Sequence, residues 1–249
     1  MQRDRIRRGD LQLYLTGEHD CSYIDQRKAR TLFVDPLAHI DGARAGWLQQ
    51  IGFRRSGRHF YRPACRGCQR CVPVRLPVAA FQPNRSQRRN ARRNEQALQV
   101  VSRPAEFQLA HYRLYERYMR ARHGDGDMAD DLGIDTYTRF LLAPWGGETR
   151  FIELWQQDAL VGVAVTDVFH DGLSAVYTFF EPTLQDRGLG IYSVLNQIRI
   201  ARQAGLDYLY LGYWISDSRK MAYKEGFRPI EAWDGQAWRR FGPGQPLGR

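Results

Sequence analysis

Asp171-Gly172 lies between two apolar runs, "ALVGVAVTDVF" (159–169) and "LSAVYTFFE" (173–181). An Asp-Gly pair in that setting is a hairpin signal, because the tight two-residue turn needs positive φ at its centre. A third run, "TRFIELWQQ" (149–157), precedes them, so three strands are expected as an antiparallel meander. The next segment, "GLGIYSVLNQIRIARQAG" (188–205), has helical periodicity and is closed by Gly205. After it, "DYLYLGYWI" (207–215) reads as a strand buried on both faces. A long helix between strands implies a crossover and a parallel pair. The meander and the crossover together restrict this half of the chain to a mixed α/β sheet.

Upstream, "AEFQLAHYRLYERYMRARH" (105–123) and "IDTYTRFLL" (134–142) are helical, joined by the polar Gly/Asp loop "HGDGDMADDLG" (123–133). Downstream, "SDSRKMAYKEGF" (216–227) is a short helix with Ser216 or Asp217 as its cap. A last strand, "QAWRRF" (236–241), leads into a Gly/Pro tail. The first hundred residues are more irregular. "LQLYL" and "RTLFV" read as strands, and "DGARAGWLQQIGF" as a helix capped by Asp41. "RHFYRP" and "CVPVRLPV" read as extended, with Pro73 and Pro77 keeping the latter out of a central ladder position. The organisation expected is a cysteine- and arginine-rich module over 1–98 and a second domain over 99–249.

The net charge is +10, from 37 Lys+Arg against 27 Asp+Glu, and arginine supplies most of the cations. A planar guanidinium pairs with two phosphate oxygens and stacks on bases, so this balance favours a nucleic-acid partner. No run approaches the ~20 apolar residues that span a bilayer. The N-terminal stretch has charge without the apolar core of a secretory signal, so the expected compartment is the cytosol.

Cys65, Cys68 and Cys71 are spaced C-x-x-C-x-x-C, and Cys21 lies well upstream. Four thiolates can complete a tetrahedral zinc site or hold an iron–sulfur cluster; a set of buried thiols without metal is the other reading. Close behind come Arg85, Arg88, Arg89, Arg92 and Arg93, which fall on one helical stripe with Asn84 as a plausible N-cap. One cationic stripe suits a phosphate backbone. "QDRGLG" (185–190) opens the long helix, and Arg187, Gly188 and Gly190 make it a candidate anion-binding turn. The pattern names an anion without saying which; acetyl-CoA, in a CoA-dependent acetyltransferase, is one occupant.

Three stretches together resemble the bacterial aminoacyl-tRNA–protein transferase family: "CSYIDQRKARTLFVDP" (21–36), "GFRRSGRHFYRPACRGCQRCVPVRLPVAAFQPNRSQRR" (52–89) and "LGYWISDSRKMAYKEGFRP" (211–229). Within it the chain most resembles the aspartate/glutamate leucyltransferase branch, with the arginyl branch as alternative. The resemblance implies an acetyltransferase-like fold in the C-terminal half. It also implies leucyl-tRNA as donor and proteins beginning with Asp or Glu as acceptors, marked thereby for degradation. One departure is "RGLG" at 187–190, which is closer to a CoA-binding turn. A reading of another class is an RNA-binding module built on a zinc knot.

An aminoacyl ester is already activated, so the reaction needs orientation, deprotonation of the attacking amine and stabilisation of an oxyanion, with no enzyme nucleophile. Tyr213 and Asp217, at the end of the buried strand, are the candidate proton acceptors, with Tyr177 and Glu181 as second choices. Arg75 and Arg85 are candidates for meeting the acceptor's carboxylate. Lys220 and Lys224, four apart, join Arg88, Arg89, Arg92 and Arg93 as candidate tRNA contacts.

Overall fold

The structure, a computed structural model, describes residues 11–123 and 132–247. Most of the Gly/Asp loop expected at 123–133 lies outside the described residues, as do the first ten residues.

An eight-stranded mixed sheet forms the body of the molecule. Its order is β14(Trp238–Phe241), β13(Ile230–Trp233), β7(Val72–Pro77), β12(Tyr208–Trp214), β11(Gly172–Phe180), β10(Ala159–Phe169), β9(Glu148–Gln156) and β8(Gln99–Pro104). The meander β9–β10–β11 is antiparallel; the turn between its last two strands is His170-Asp171, one residue earlier than expected and without positive φ, and Gly172 opens β11 opposite Phe169. Helix α5 (Leu189–Gln203) crosses over so that β12 runs parallel to β11. Val194, Ile198 and Ala201 of α5 pack on Val74, Leu76, Leu209 and Leu211. Helix α3 (Leu109–His123) covers another stretch through Leu114, Tyr115 and Met119 against Phe151, Val163 and Phe179. Between them comes helix α4 (Ile134–Tyr137), which runs into a π-helical turn over Thr138–Leu142.

A smaller four-stranded sheet has the order β1(Leu13–Leu15), β4(Thr31–Val34), β6(His59–Pro63), β5(Arg54–Ser56). A two-stranded pair, β2(His19–Asp20) with β3(Lys28–Ala29), stands beside it. Helix α1 (Gly42–Gln50) begins at Asp41, whose carboxylate accepts from the Arg44 amide at 2.8 Å. Its Ala45 and Leu48 share a cluster with Phe53, Phe60, Trp145 and Phe169, so the core of the small sheet continues into the large one. A buried bidentate pair crosses the same junction: Arg55 Nε and Nη2 donate to the two Asp167 oxygens, each at 2.7 Å. Thr149 donates to the same carboxylate at 2.7 Å, which leaves it well satisfied.

Two expectations change. β7 is central after all, paired with β12 on one side and β13 on the other. Its prolines are tolerated because β13 meets it only at Val74 and Arg75, leaving Pro73 and Pro77 outside that ladder. The helix after β12 is shorter than expected and starts later: α6 spans Arg219–Ala222 with Ser218 as N-cap, and the Ser216 hydroxyl donates to Asp217 instead. β7 and helix α2 (Arg85–Glu95) precede residue 98, yet β7 lies within the large sheet and α2 packs on α5.

Candidate active site

β11 and β12 pair only through Gly172↔Tyr208, Leu173↔Leu209 and Ser174↔Tyr210. Beyond these residues the parallel strands share no register, and β12 makes a bulge against β7 between Tyr210 and Gly212. Ligand crevices in open α/β sheets form where neighbouring strands part in this way. The gap is filled from the small sheet. Arg54 of β5 enters it, with Nη1 donating to Ser174 Oγ at 3.1 Å and Nη2 to the Ala175 carbonyl at 2.8 Å. Among the described residues Arg54 forms no ion pair, although its side chain is nearly buried. Gly212, at φ +79°, makes room: a Cβ there would lie 2.7 Å from the guanidinium carbon.

Lys224 shares this environment. It is 5 % exposed, and its Nζ donates to the Tyr213 carbonyl. Burial, reinforced by the charge of Arg54, pushes its ammonium down to about 7. A lysine tuned to neutrality in a crevice is equipped to accept a proton. The expectation that Lys224 grips phosphate alongside Lys220 therefore changes: Lys220 is exposed on α6, whereas Lys224 is turned inward on the 3-10 turn Tyr223–Gly226.

The residues expected to take the proton have other duties. Tyr213 is buried, and its hydroxyl is directed to the carbonyls of Gly52 at 3.0 Å and Tyr61 at 3.2 Å. Burial holds its phenol well above the ordinary range, so it is no base near neutrality. It pins β12 to the small sheet. Asp217 is ion-paired with Arg70, which ties the cysteine loop to the end of β12. Tyr177 donates to Met119 Sδ at 3.2 Å within an aromatic cluster, and Glu181 accepts from Arg117 at 3.0 Å.

Arg75 is likewise committed. It is 8 % exposed, donates to Glu231 at 2.8 Å, and its guanidinium carbon sits 3.5 Å from the Tyr208 ring centroid. Its charge is neutralised inside the sheet, out of an acceptor's reach. Arg85, by contrast, is exposed in the first turn of α2.

The arginine stripe is as expected. Arg85, Arg88, Arg89, Arg92 and Arg93 are all exposed, and Asn84 and Gln87 close a capping box at the start of α2. The buried side of α2 is made of amides. Asn90 Nδ2 donates to the carbonyls of Arg187 at 2.9 Å and Gly188 at 3.2 Å, and Asn94 Nδ2 to that of Arg187 at 3.0 Å. The Arg187 side chain returns a bond to Asn94 Oδ1 at 3.1 Å. The turn holding Arg187, Gly188 and Gly190 therefore anchors α2, a contact that the glycine pattern did not announce. At the other end of α2, Asn84 Nδ2 and Gln87 Nε2 donate to the Gly226 carbonyl, two residues from Lys224. The guanidinium row and the buried lysine thus belong to contiguous structure.

Comparison with known proteins shows the family. Residues 19–89 match the family described as arginine-tRNA-protein transferase, N terminus, and residues 110–234 match its C-terminal counterpart. An aspartate/glutamate leucyltransferase of Hahella chejuensis is 49 % identical, over 92 % of this chain and 96 % of its own. The chain belongs to this transferase family. Proteins of the same name from Chromohalobacter salexigens and Acinetobacter baumannii are 47 % and 45 % identical, each over 93 % of this chain and over 93 % and 84 % of their own. A solved structure of L-PGS from Bacillus licheniformis aligns over 58 % of the chain and 45 % of its own length, at a TM-score of 0.43 and 10 % identity.

In this transferase the four cysteines are unbridged and half-buried. Burial, with the neighbouring thiols of Cys21, Cys65 and Cys68, pushes the Cys71 thiol up to about 12. Cys21, Cys65 and Cys68 are near enough to act on Cys71. Among the described residues, however, no group of three or more His, Cys, Asp or Glu side chains is arranged to hold a metal ion. Cys65 is turned to the backbone of Arg30, whose amide donates to its sulfur at 3.4 Å.

Sequence reasoning missed the buried positions of Arg54 and Lys224. Gly212 was the available signal: a glycine inside a strand marks a bulge or a close approach.

Proposed function

We propose that this protein transfers the leucyl group of leucyl-tRNA to the α-amine of polypeptides beginning with Asp or Glu. The names of relatives 45–49 % identical over nearly the whole chain support that donor and acceptor. The structural observation that carries the chemistry is Lys224, buried beside Arg54 where β11 and β12 part.

The acceptor arrives as an ammonium, which titrates near pH ~8 when unperturbed. Lys224 Nζ, neutral at that pH, takes one proton and leaves the amine nucleophilic. The amine nitrogen then bonds to the ester carbon. As the tetrahedral centre collapses, the bond to the terminal ribose oxygen breaks, and that oxygen leaves as a hydroxyl with the amine's second proton. Arg54, a nearly buried cation without an anionic partner among the described residues, stabilises the oxyanion that forms on the way. The exposed arginines of α2 hold the tRNA backbone. The product carries leucine at its N-terminus, a degradation mark, and the reaction belongs in the cytoplasm with the pool of charged tRNA. Among the described residues no helix is long and apolar enough to cross a membrane.

The test is transfer of labelled leucine from leucyl-tRNA to peptides beginning with Asp, Glu or Ala. Labelling of the first two and not the third is expected. Absence of labelling on every peptide would overturn the reading.

A further inference from the structure

Tyr223 opens the 3-10 turn Tyr223–Gly226, one residue before Lys224, and is 45 % exposed. The other large aromatic rings this exposed among the described residues are Tyr14, on the edge of the small sheet remote from β5, and Phe107, which packs beside Tyr137. Lys224 Nζ lies 5.9 Å from the Tyr223 ring centroid, and Phe227 meets the ring in a T-shaped contact with centroids 6.4 Å apart. The ring is accessible, yet its position is concave. Burial pushes the Tyr223 phenol up, the charge of Arg54 draws it back, Tyr118 raises it and Arg122 lowers it. Arg122 is itself exposed, with its guanidinium carbon 5.7 Å from the Tyr118 ring centroid. Side chains from β5 and α3 therefore converge on one open aromatic face.

We infer that Tyr223 stacks on the terminal base of the charged tRNA and so fixes the nucleoside whose ribose carries the aminoacyl ester. The inference rests on the leucyl-transfer reading and adds to it a base contact that the arginine row does not supply. The acceptor end of a tRNA is single-stranded, and proteins receive unstacked bases on open aromatic rings. Position selects the base. Asn84 and Gln87, at the start of α2, are bonded to the Gly226 carbonyl, and Lys224 belongs to the same turn. A strand whose phosphates follow the α2 arginines reaches the proton acceptor along this turn. The nucleoside beside the reacting ester is the last one, and Tyr223 is the open ring beside Lys224. Charge agrees with that occupant: Arg54 and Arg122 suit a phosphate-bearing strand and oppose the acceptor's ammonium.

The experiment is equilibrium binding of uncharged tRNA to the full-length protein, comparing a complete acceptor end with one whose 3′-terminal nucleotide lacks its base. The wild type is expected to bind the complete tRNA about fivefold to a hundredfold more tightly. Tyr223→Ala should bind both alike, and Tyr223→Phe, which keeps the ring, should retain the discrimination. If thermal melts show Tyr223→Ala to be unfolded, Tyr223→Leu, which keeps bulk without the ring, takes its place. A merely structural role, such as a loosened mount for α2, would weaken both tRNAs equally and leave their ratio intact. That result overturns the inference, as does a wild type that binds the two tRNAs alike. A defect of Tyr223→Ala confined to leucyl-tRNA, with uncharged tRNA unaffected, would give the ring to the leucyl group and also overturns it. In steady-state transfer, Tyr223→Ala should raise the KM for leucyl-tRNA and not that for the Asp and Glu peptides; the opposite pattern sinks the inference. The binding measurement uses no transfer, so a wild-type protein that labels no peptide overturns the leucyl reading separately.

Discussion

Arg54 reaches the gap between β11 and β12 only because Gly212 has no side chain; a Cβ at 212 would stand 2.7 Å from the guanidinium carbon. Gly212→Ala therefore combines a positive-φ backbone, which costs about 1–2 kcal/mol for a non-glycine residue, with eviction of a buried cation. A lowered melting temperature is expected, together with loss of leucine transfer in the fraction still folded. Full activity in a folded Gly212→Ala protein would remove Arg54 from the mechanism.

Lys224→Met keeps an unbranched, largely apolar side chain and removes the proton acceptor. The expected fall in kcat/KM is about 10²- to 10⁴-fold, the range for a general base. The wild-type rate should rise with pH through about 7, where Lys224 loses its proton, and the variant should lack that limb.

The same group makes a prediction for stability. Its native pKa, about 7, lies below the ordinary lysine value of 10.5, so between those limits the unfolded chain binds more protons. Lys224 therefore costs stability below pH 7 and progressively less as pH rises towards 10.5. Denaturant titrations across that window should show a slope that Lys224→Met flattens.

Asp167→Ala strands the Arg55 guanidinium, whose side chain, like that of its partner, is 1 % exposed. Breaking a buried pair from one side costs about 3–5 kcal/mol. The denaturation midpoint should drop accordingly. Arg75→Ala, inside its own pair with Glu231, should likewise be read in stability and leave the order of preference among acceptor peptides unchanged.

Arg88→Ala with Arg92→Ala alters exposed side chains on α2. Affinity for leucyl-tRNA should fall, and the salt slope should shrink by roughly one for each phosphate that the helix no longer neutralises. The melting temperature should stay near that of the wild type.

The large sheet was legible because its signals are local. Asp171-Gly172, the helical period of 189–203 and the apolar run at 207–215 each declare an element, and their order dictates the meander and crossover. The arginine stripe was legible for the same reason, a period set by one helix. The site was less so, because burial and partnership depend on distant segments. Arg75 reads as a candidate until Glu231, 156 residues away, is seen to neutralise it. Lys224 reads as a surface cation until Tyr213 and Arg54 are seen to enclose it. β7 hides its central place behind two prolines, since the limited extent of its neighbour β13 is not written in β7 itself.

Helix α2 separates its two tasks by chemistry. Asn84, Gln87, Asn90 and Asn94 fasten it through directional amide bonds to Gly226 and to the start of α5, while the arginines of the stripe are exposed, Arg93 also reaching the Asp186 carbonyl at 3.1 Å. Uncharged amides hold their geometry at any ionic strength, whereas the opposite side answers to salt. The number of outward cations can therefore drift, and with it the grip on RNA, while the mount that aims them stays fixed.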